Sequence, residues 1–168
     1  MMRKPLKLKI FDLDRTVINS DHRYNTLENG DIDLGKWIEN CTSDKIEKDF
    51  ILPFARHMKE CYETKGTMVA ICTARVMGPF DWRFLNDHSN EIPFHYAMHR
   101  PEGCRTGDAE LKKLQILKLC NELELSPFAL RNNVEIFDDN PTVLKMAYQL
   151  GIKAHCSLKL NEQYRKLA

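Results

Sequence analysis

The stretch KLKIFDLDRTVIN, residues 7–19, decides how this chain is read. An apolar run ends in two aspartates, Asp12 and Asp14, one residue apart, with Thr16 close behind. Like charges held together repel, and burying them uncompensated costs several kcal/mol. A cation, or a chemical step, has to justify them.

The rest of the sequence repeats this alternation of apolar run and helix. Leu6 to Asp12 is the first strand, and TMVAICT at 67–73 is the near-continuous apolar run of a strand covered on both faces. PFHYAM at 93–98, NVEIFD at 133–138 and IKAHC at 152–156 give three more. Residues 53–65 read as a helix opened by Pro53 and closed before Gly66, with Phe54, Met58, Cys61 and Tyr62 on one face. A longer helix is expected from Asp108 to about Glu124, with Leu111, Leu114, Leu117 and Cys120 inward. Asn140-Pro141 opens another, with Leu144, Ala147 and Tyr148 inward and Gly151 at its end. Strands alternating with helices predict an α/β fold: a doubly wound, Rossmann-like parallel sheet with helices on both faces.

At 168 residues the chain fits one domain, 1–168. Lys+Arg 25 against Asp+Glu 24 leaves a net charge of +1, so no overall basic field draws it to polyanions and any grip must be local. No apolar run reaches the length of a membrane span, and MMRKPLKLKIF lacks the apolar core and cleavage site of a signal peptide. The expectation is a cytoplasmic protein without a membrane partner. Cysteines 41, 61, 72, 104, 120 and 156 include no C-x-x-C pair and read as reduced thiols rather than a zinc site.

In such a sheet, function sits beyond the carboxyl ends of the strands, where the strand order reverses. The first strand ends in Asp12-Leu13-Asp14 and the fourth in Asp138-Asp139. If the two are neighbours, four carboxylates converge on one crevice. Thr73 closes the second strand, and Lys112 sits early in the long helix. Hard oxygen ligands around a small space suit Mg²⁺, which takes few carboxylates and keeps room for phosphate oxygens. Taken singly, each piece has an ordinary structural reading: turn aspartates, a helix cap, a capping threonine, a solvated lysine. Four of them at successive strand and helix ends rarely arise by chance.

Together FDLDRT (Asp12, Asp14, Thr16), ICTAR (Thr73), Lys112 and IFDDN (Asp138, Asp139) resemble the motifs of the haloacid dehalogenase-like phosphohydrolase superfamily over nearly the whole chain. Within it, RPEGCRTGDAELKK at 100–113 resembles the Arg-rich segment of the phosphatase domain of phage-type polynucleotide kinase/phosphatase. Cys104 stands where that family usually has Asp, and Arg105-Thr106 inverts its Thr-Arg pair. No G-x-x-x-x-G-K-[ST] loop of the kinase half is present in the sequence.

The resemblance implies an aspartyl-phosphate mechanism. Asp12 would be the nucleophile and would ligate Mg²⁺ with the backbone carbonyl of Asp14 and the carboxylate of Asp138. Asp14, partly protonated and turned from the metal, would carry the proton of the leaving group. Thr73 and Lys112 would hold the phosphoryl oxygens, with Lys113 the competitor for the lysine, and Asp139 would orient Asp138 or a water. Thr16, Arg75, Arg100 and Arg105 are the expected substrate contacts, Arg75 first among them. Trp37 and Trp82 read as packing, and the six histidines share no ligand spacing.

Residues 17–52 are too few for a full cap domain and read as a short flap, so an open site is expected unless another subunit of a homo-oligomer covers it. An open site admits the end of a chain. The expected substrate is a phosphorylated nucleotide or nucleic-acid end, a terminal 3′-phosphate ahead of a free mononucleotide. Two other functions compete: a phosphorelay receiver, whose acceptor aspartate would follow the third strand, and a silent binding version of the same fold.

Overall fold

The computed structural model describes residues 6–23 and 25–168; residues 1–5, part of the stretch read for a signal peptide, lie outside it. In chain order the elements are β1 (Lys7–Phe11), β2 (Ile18–Asn19), α1 (Leu34–Glu39), α2 (Ser43–Ile46), β3 (Phe50–Ile51), α3 (Ala55–Glu63), β4 (Thr67–Val76), α4 (Pro79–Asp87), β5 (Tyr96–Arg100), α5 (Asp108–Glu122), α6 (Pro127–Asn133), β6 (Val134–Asp138), α7 (Pro141–Gln149), β7 (Lys153–Cys156) and α8 (Ser157–Lys166). Five strands form one sheet in the order β5-β4-β1-β6-β7. Every neighbouring pair is parallel. This is the doubly wound α/β architecture expected from the alternation of runs.

Side chains of a strand alternate between faces, and the core divides accordingly. Phe11, Val69, Ile71 and Phe137 pack with Phe54 and Met58 of the α3 region on one face. Leu8, Ile10, Ala70, Cys72 and Ile136 pack with Ile116 of α5 and Met146 of α7 on the other. Burying such side chains stabilises by about 1.5–3 kcal/mol each. The central strands are therefore apolar on both sides and can end in charge only at the sheet edge.

β1 and β6 are neighbours, with Phe11 beside Phe137. The ladder extends one bond further, from Asp12 N to Phe137 O at 3.0 Å. The two acidic strand ends thus lie side by side, at the point where strand order reverses. Gly151 (φ +77) stops α7 in the left-handed region, as the sequence signals required, whereas α3 ends earlier than expected, at an extended Thr64, and Gly66 (φ +82) turns the chain into β4.

Helix phase departs from expectation. In α5 the buried residues are Asp108, Leu111, Lys112, Ile116, Leu119 and Cys120, while Leu114 and Leu117 are exposed. Steps of three residues drift by about 60° each around a helix, so four leucine-type positions at that spacing cannot share a face. In α7 it is Val143, Met146 and Ala147 that are buried, and Tyr148 stands out in solvent. Tyr62, expected inward on α3, is also exposed.

Residues 17–52 form no separate domain-sized layer. β2 and β3 make a two-stranded antiparallel ribbon, and the chain between them folds back over the sheet with α1 and α2. Among the described residues, no helix is long and apolar enough to cross a membrane. All six cysteines are unpaired.

Candidate active site

Asp12 and Asp14 leave β1 on opposite sides, and each enters a different charge cluster. On one side, Lys112 Nζ donates to Asp12 Oδ1 at 2.8 Å and to Asp138 Oδ2 at 2.7 Å. Carboxylate oxygens of Asp12, Asp138 and Asp139 all lie within 4.8 Å of one another. Asn140 N donates to Asp138 Oδ1 at 2.9 Å, which fixes that carboxylate at the start of α7. Lys112, not Lys113, is the lysine brought to the site; Lys113 pairs with Glu110 at the surface, 3.7 Å away.

Three carboxylates meet one buried ammonium here, and Arg15 reaches only Asp139, at 4.0 Å, so negative charge is left in excess. The acidities follow. Burial pushes the Asp12 carboxyl well above its ordinary range, and the repulsion of Asp138, Asp14 and Asp139 adds to it against the pull of Lys112. Burial, then Asp138, pushes Asp139 up to about 7. Burial alone would lower Lys112, but Asp12 and Asp138 hold it well above its usual value and keep it charged.

On the other side, burial would raise Asp14, but Arg75 outweighs it and holds the carboxyl below its usual value. Arg75 grips Asp14 as a fork, Nε to Oδ2 at 2.9 Å and Nη2 to Oδ1 at 2.6 Å, and the Ser20 hydroxyl donates to the same carboxylate. Arg75 also reaches Asp81 at 3.2 Å, and Arg23 bridges Asp81 to Asp49. The Trp37 ring lies beneath both guanidiniums, 4.1 Å from Arg23 and 4.8 Å from Arg75. This buried network pins residues 20–49 to β4 and α4.

Several expectations need correction. Asp14 borders the same space as Asp12, but Arg75 forks its carboxylate and holds it below its usual value, which opposes the partly protonated state expected of it. Its carboxylate is no part of the ligand group; only its main chain stays available to a metal. Asp139, expected to stand behind Asp138, contributes its carboxylate directly to the group. Arg75 and Arg100 are buried structural cations rather than substrate contacts. Arg100 donates to Asp108 at 2.7 Å and to the carbonyls of Ala74 and Thr106. Thr16 is fully buried, and its hydroxyl donates to Ser157 at 2.9 Å. Thr73 is buried beside Ala74, and its oxygen accepts from Arg75 N at 3.2 Å. Arg105 is exposed on the loop before α5.

The site is also not open on all sides. Gly30 to Ile32 lies across it as a strap. Asn140 Nδ2 donates to Gly30 O at 3.1 Å, Asp108 N donates to Asp31 Oδ2 at 3.2 Å, and Ile32 N donates to Asp108 Oδ2 at 2.8 Å. The space lined by Asp12, Asp14, Ile32, Ala74, Asp108, Lys112, Asp138, Asp139 and Asn140 is only about 10 Å³, near the minimum for one water. Asp31, Asp49, Asp81 and Arg23 escaped the sequence reading, and Asn140 was read only as a helix cap. The one signal for any of them was Asp81, the acid at the third position of a helix opened by Gly78-Pro79.

Residues 1–93 match the family described as bacteriophage T5 5'-deoxynucleotidase. The 5'-deoxynucleotidase of Escherichia phage T5 is 39% identical over 82 residues, covering 47% of this chain and 34% of the relative. The match thus takes in about a third of that protein's length. Among solved structures, a chain of the Pnkp1/Rnl/Hen1 complex aligns with TM-score 0.63 at 18% identity, over 92% of this chain and 47% of the other. A haloacid dehalogenase-like hydrolase from Streptococcus pneumoniae aligns with TM-score 0.62 at 11% identity, over 94% and 91%. At these identities the likeness establishes the haloacid dehalogenase-like fold.

Proposed function

This chain belongs to the bacteriophage T5 5'-deoxynucleotidase family, and from that premise we propose that it is a phosphoric monoester hydrolase acting on nucleotides or nucleic-acid ends. The observation that carries the reading is the excess of negative charge at the strand ends: Asp12, Asp138 and Asp139 face one buried cation, Lys112, with the partly exposed Arg15 reaching only Asp139, at 4.0 Å. Mg²⁺ fits this donor set, being a hard cation that accepts a few carboxylates and tolerates phosphate oxygens beside them. Asp12, Asp138 and Asp139 would hold it, with the main-chain carbonyl of Asp14. When bound it would neutralise the carboxylates and the incoming phosphate charge.

The chain's own residues then divide the work. The Asp12 carboxylate attacks phosphorus and forms an aspartyl-phosphate as the bond to the ester oxygen breaks and that oxygen takes up a proton from solvent; water then cleaves the intermediate, gives up a proton and restores the carboxylate. Lys112, fixed between two carboxylates, offers its ammonium to the phosphoryl oxygens as charge spreads over them. Asp14 keeps Arg75 and the buried network with Asp81, Arg23 and Asp49 in place, while its own carboxylate borders the reacting space. Residues 1–168 act in this reading as one phosphatase unit, with 17–52 as its roof.

Two substrates suit the site. A terminal 3′-phosphate of a nucleic acid is one; a free nucleoside monophosphate, as the name of the family suggests, is the other. The test is phosphate release from deoxynucleoside 5′- and 3′-monophosphates and from 3′-phosphorylated oligonucleotides, with Mg²⁺ and after chelation. Release from at least one class, abolished by chelation, is expected. Release that is indifferent to chelation, or none from any nucleotide, overturns the proposal.

A further inference from the structure

We propose that the cleft between the Asp12–Thr16 loop and α8 binds a second phosphate of the substrate, beside the ester being cleaved; the inference rests on the phosphatase reading above. The cleft has a volume of about 460 Å³ and is bordered by Arg15, Lys159 and Arg165 over an apolar floor of Leu52 and Leu158. It touches the reacting centre through one side chain. Arg15 Nη1 lies 4.0 Å from Asp139 Oδ2, while its Nε donates to Asp21 at 2.7 Å.

Arg15 is held there against its backbone preference. Its φ of +56° is left-handed, a region that strains a residue with a long side chain. α8 sustains that conformation. Ser157 Oγ donates to Arg15 O at 3.2 Å, and Asn161 Nδ2 donates to Arg15 O at 3.4 Å and to Thr16 O at 2.9 Å. Ser157 and Asn161 are both buried. The helix that fixes the catalytic loop therefore also carries Lys159 and Arg165 on its exposed side.

Access points the same way. Of the three clustered carboxylates only Asp139 is partly exposed, and that edge faces Arg15. The Gly30–Ile32 strap closes the Ile32 side. Arg75 and Arg100 are buried in ion pairs, so the cations a substrate meets at this edge are Arg15, Lys159 and Arg165. Asp21 and Glu162 also border the cleft; Asp21 is already bound by Arg15, and the balance stays positive. Neither Lys159 nor Arg165 has an ion pair among the described residues. Guanidinium and ammonium groups bind phosphate through charge-assisted hydrogen bonds, and Leu52 and Leu158 offer apolar surface to the adjoining sugar or base. A phosphodiester of a nucleic-acid strand and the second phosphate of a nucleoside bisphosphate share this chemistry.

The test is the double variant Lys159→Ala/Arg165→Ala, read as a ratio. The kcat/KM for a 3′-phosphorylated oligothymidylate, divided by that for p-nitrophenyl phosphate, should fall about tenfold, through KM, with a flatter salt dependence. The same two charges removed elsewhere, Lys118→Ala/Lys145→Ala, should leave the ratio at its wild-type value. A parallel fall for thymidine 3′,5′-bisphosphate supports a subsite for any second phosphate; a fall confined to the oligonucleotide supports a strand phosphodiester. An unchanged ratio, or an equal fall in the Lys118/Lys145 control, overturns the inference. If the wild type releases no phosphate from any ester, the phosphatase reading has failed. Fluorescence anisotropy of the same oligonucleotide then decides separately: weaker binding by the double variant supports the cleft, and an unchanged Kd overturns it.

Discussion

Asp12 and Asp14 leave the same strand end two residues apart, yet they enter clusters balanced in different ways. Around Asp12, three carboxylates share one buried lysine, and the partly exposed Arg15 reaches only Asp139, at the long distance of 4.0 Å. Around Asp14, the carboxylates of Asp14, Asp49 and Asp81 share two arginines with well-formed forks and a tryptophan beneath them. A buried carboxylate met by a fork is a structural anchor, and removing its partner is costly. A buried carboxylate left short of counter-charge is unstable by itself and calls for a ligand. The first cluster is built to take something in; the second is built to stay as it is.

The substitution expected to have the largest effect is Asp12→Asn. It removes the nucleophile and one of the excess negative charges, so kcat should drop by roughly a thousandfold or more, while thermal stability holds or rises. Phosphate-release kinetics and a melting curve check both halves. Arg75→Ala should behave in the opposite sense. It leaves Asp14 and Asp81 short of their cation in the interior, which costs about 3–5 kcal/mol; urea unfolding measures it. If Asp12→Asn proved the more destabilising of the two, the distinction between the clusters would collapse.

A smaller effect, on pH, separates the clusters without mutation. Asp139 is pushed up to about 7, above its unfolded value, and Asp12 is raised as well. Groups raised in this way favour the folded state when protonated, so in chelator the stability should rise as pH falls from about 7 toward 4. Asp14 is held below its ordinary value; its contribution is complete above that value and is lost as pH falls through the lower, folded one. Stability in chelator should therefore pass through a maximum in mild acid, and Mg²⁺ should flatten the arm toward neutral pH. A profile flat from pH 7 to 5 in chelator would remove the charge imbalance from the account.

The two clusters also differed in how far the sequence disclosed them. The first was readable because its members stand at the ends of apolar runs, where β1 and β6 must leave the core, and because Lys112 lies one turn into a helix expected to start at Asp108. The second was not. Arg23, Asp49 and Asp81 lie in segments that read as polar loop and helix surface, and only the tertiary fold brings them together. Arg75 was noticed for its position after Thr73, but its partner could not be seen, so a buried anchor was taken for a substrate contact. The strap at Gly30–Ile32 has no periodicity to betray that Asn140 and Asp108 would bind it. α8 escaped for a related reason, since the duty of Ser157 and Asn161 is toward Arg15 and Thr16, more than 140 residues away in the chain. The phase of α5 failed where a buried lysine stood among the leucines.

Calorimetric titration of Mg²⁺ tests the central claim most directly, because it asks whether the cluster with excess negative charge takes up a cation. In wild type at pH 7 the account predicts one ion per chain. Affinity should fall at least about tenfold in Asp12→Asn and in Asp138→Asn, which each remove one expected ligand. Binding should also release protons, since Asp139 is partly protonated near pH 7. No binding by wild type, or wild-type affinity in both variants, would contradict the account.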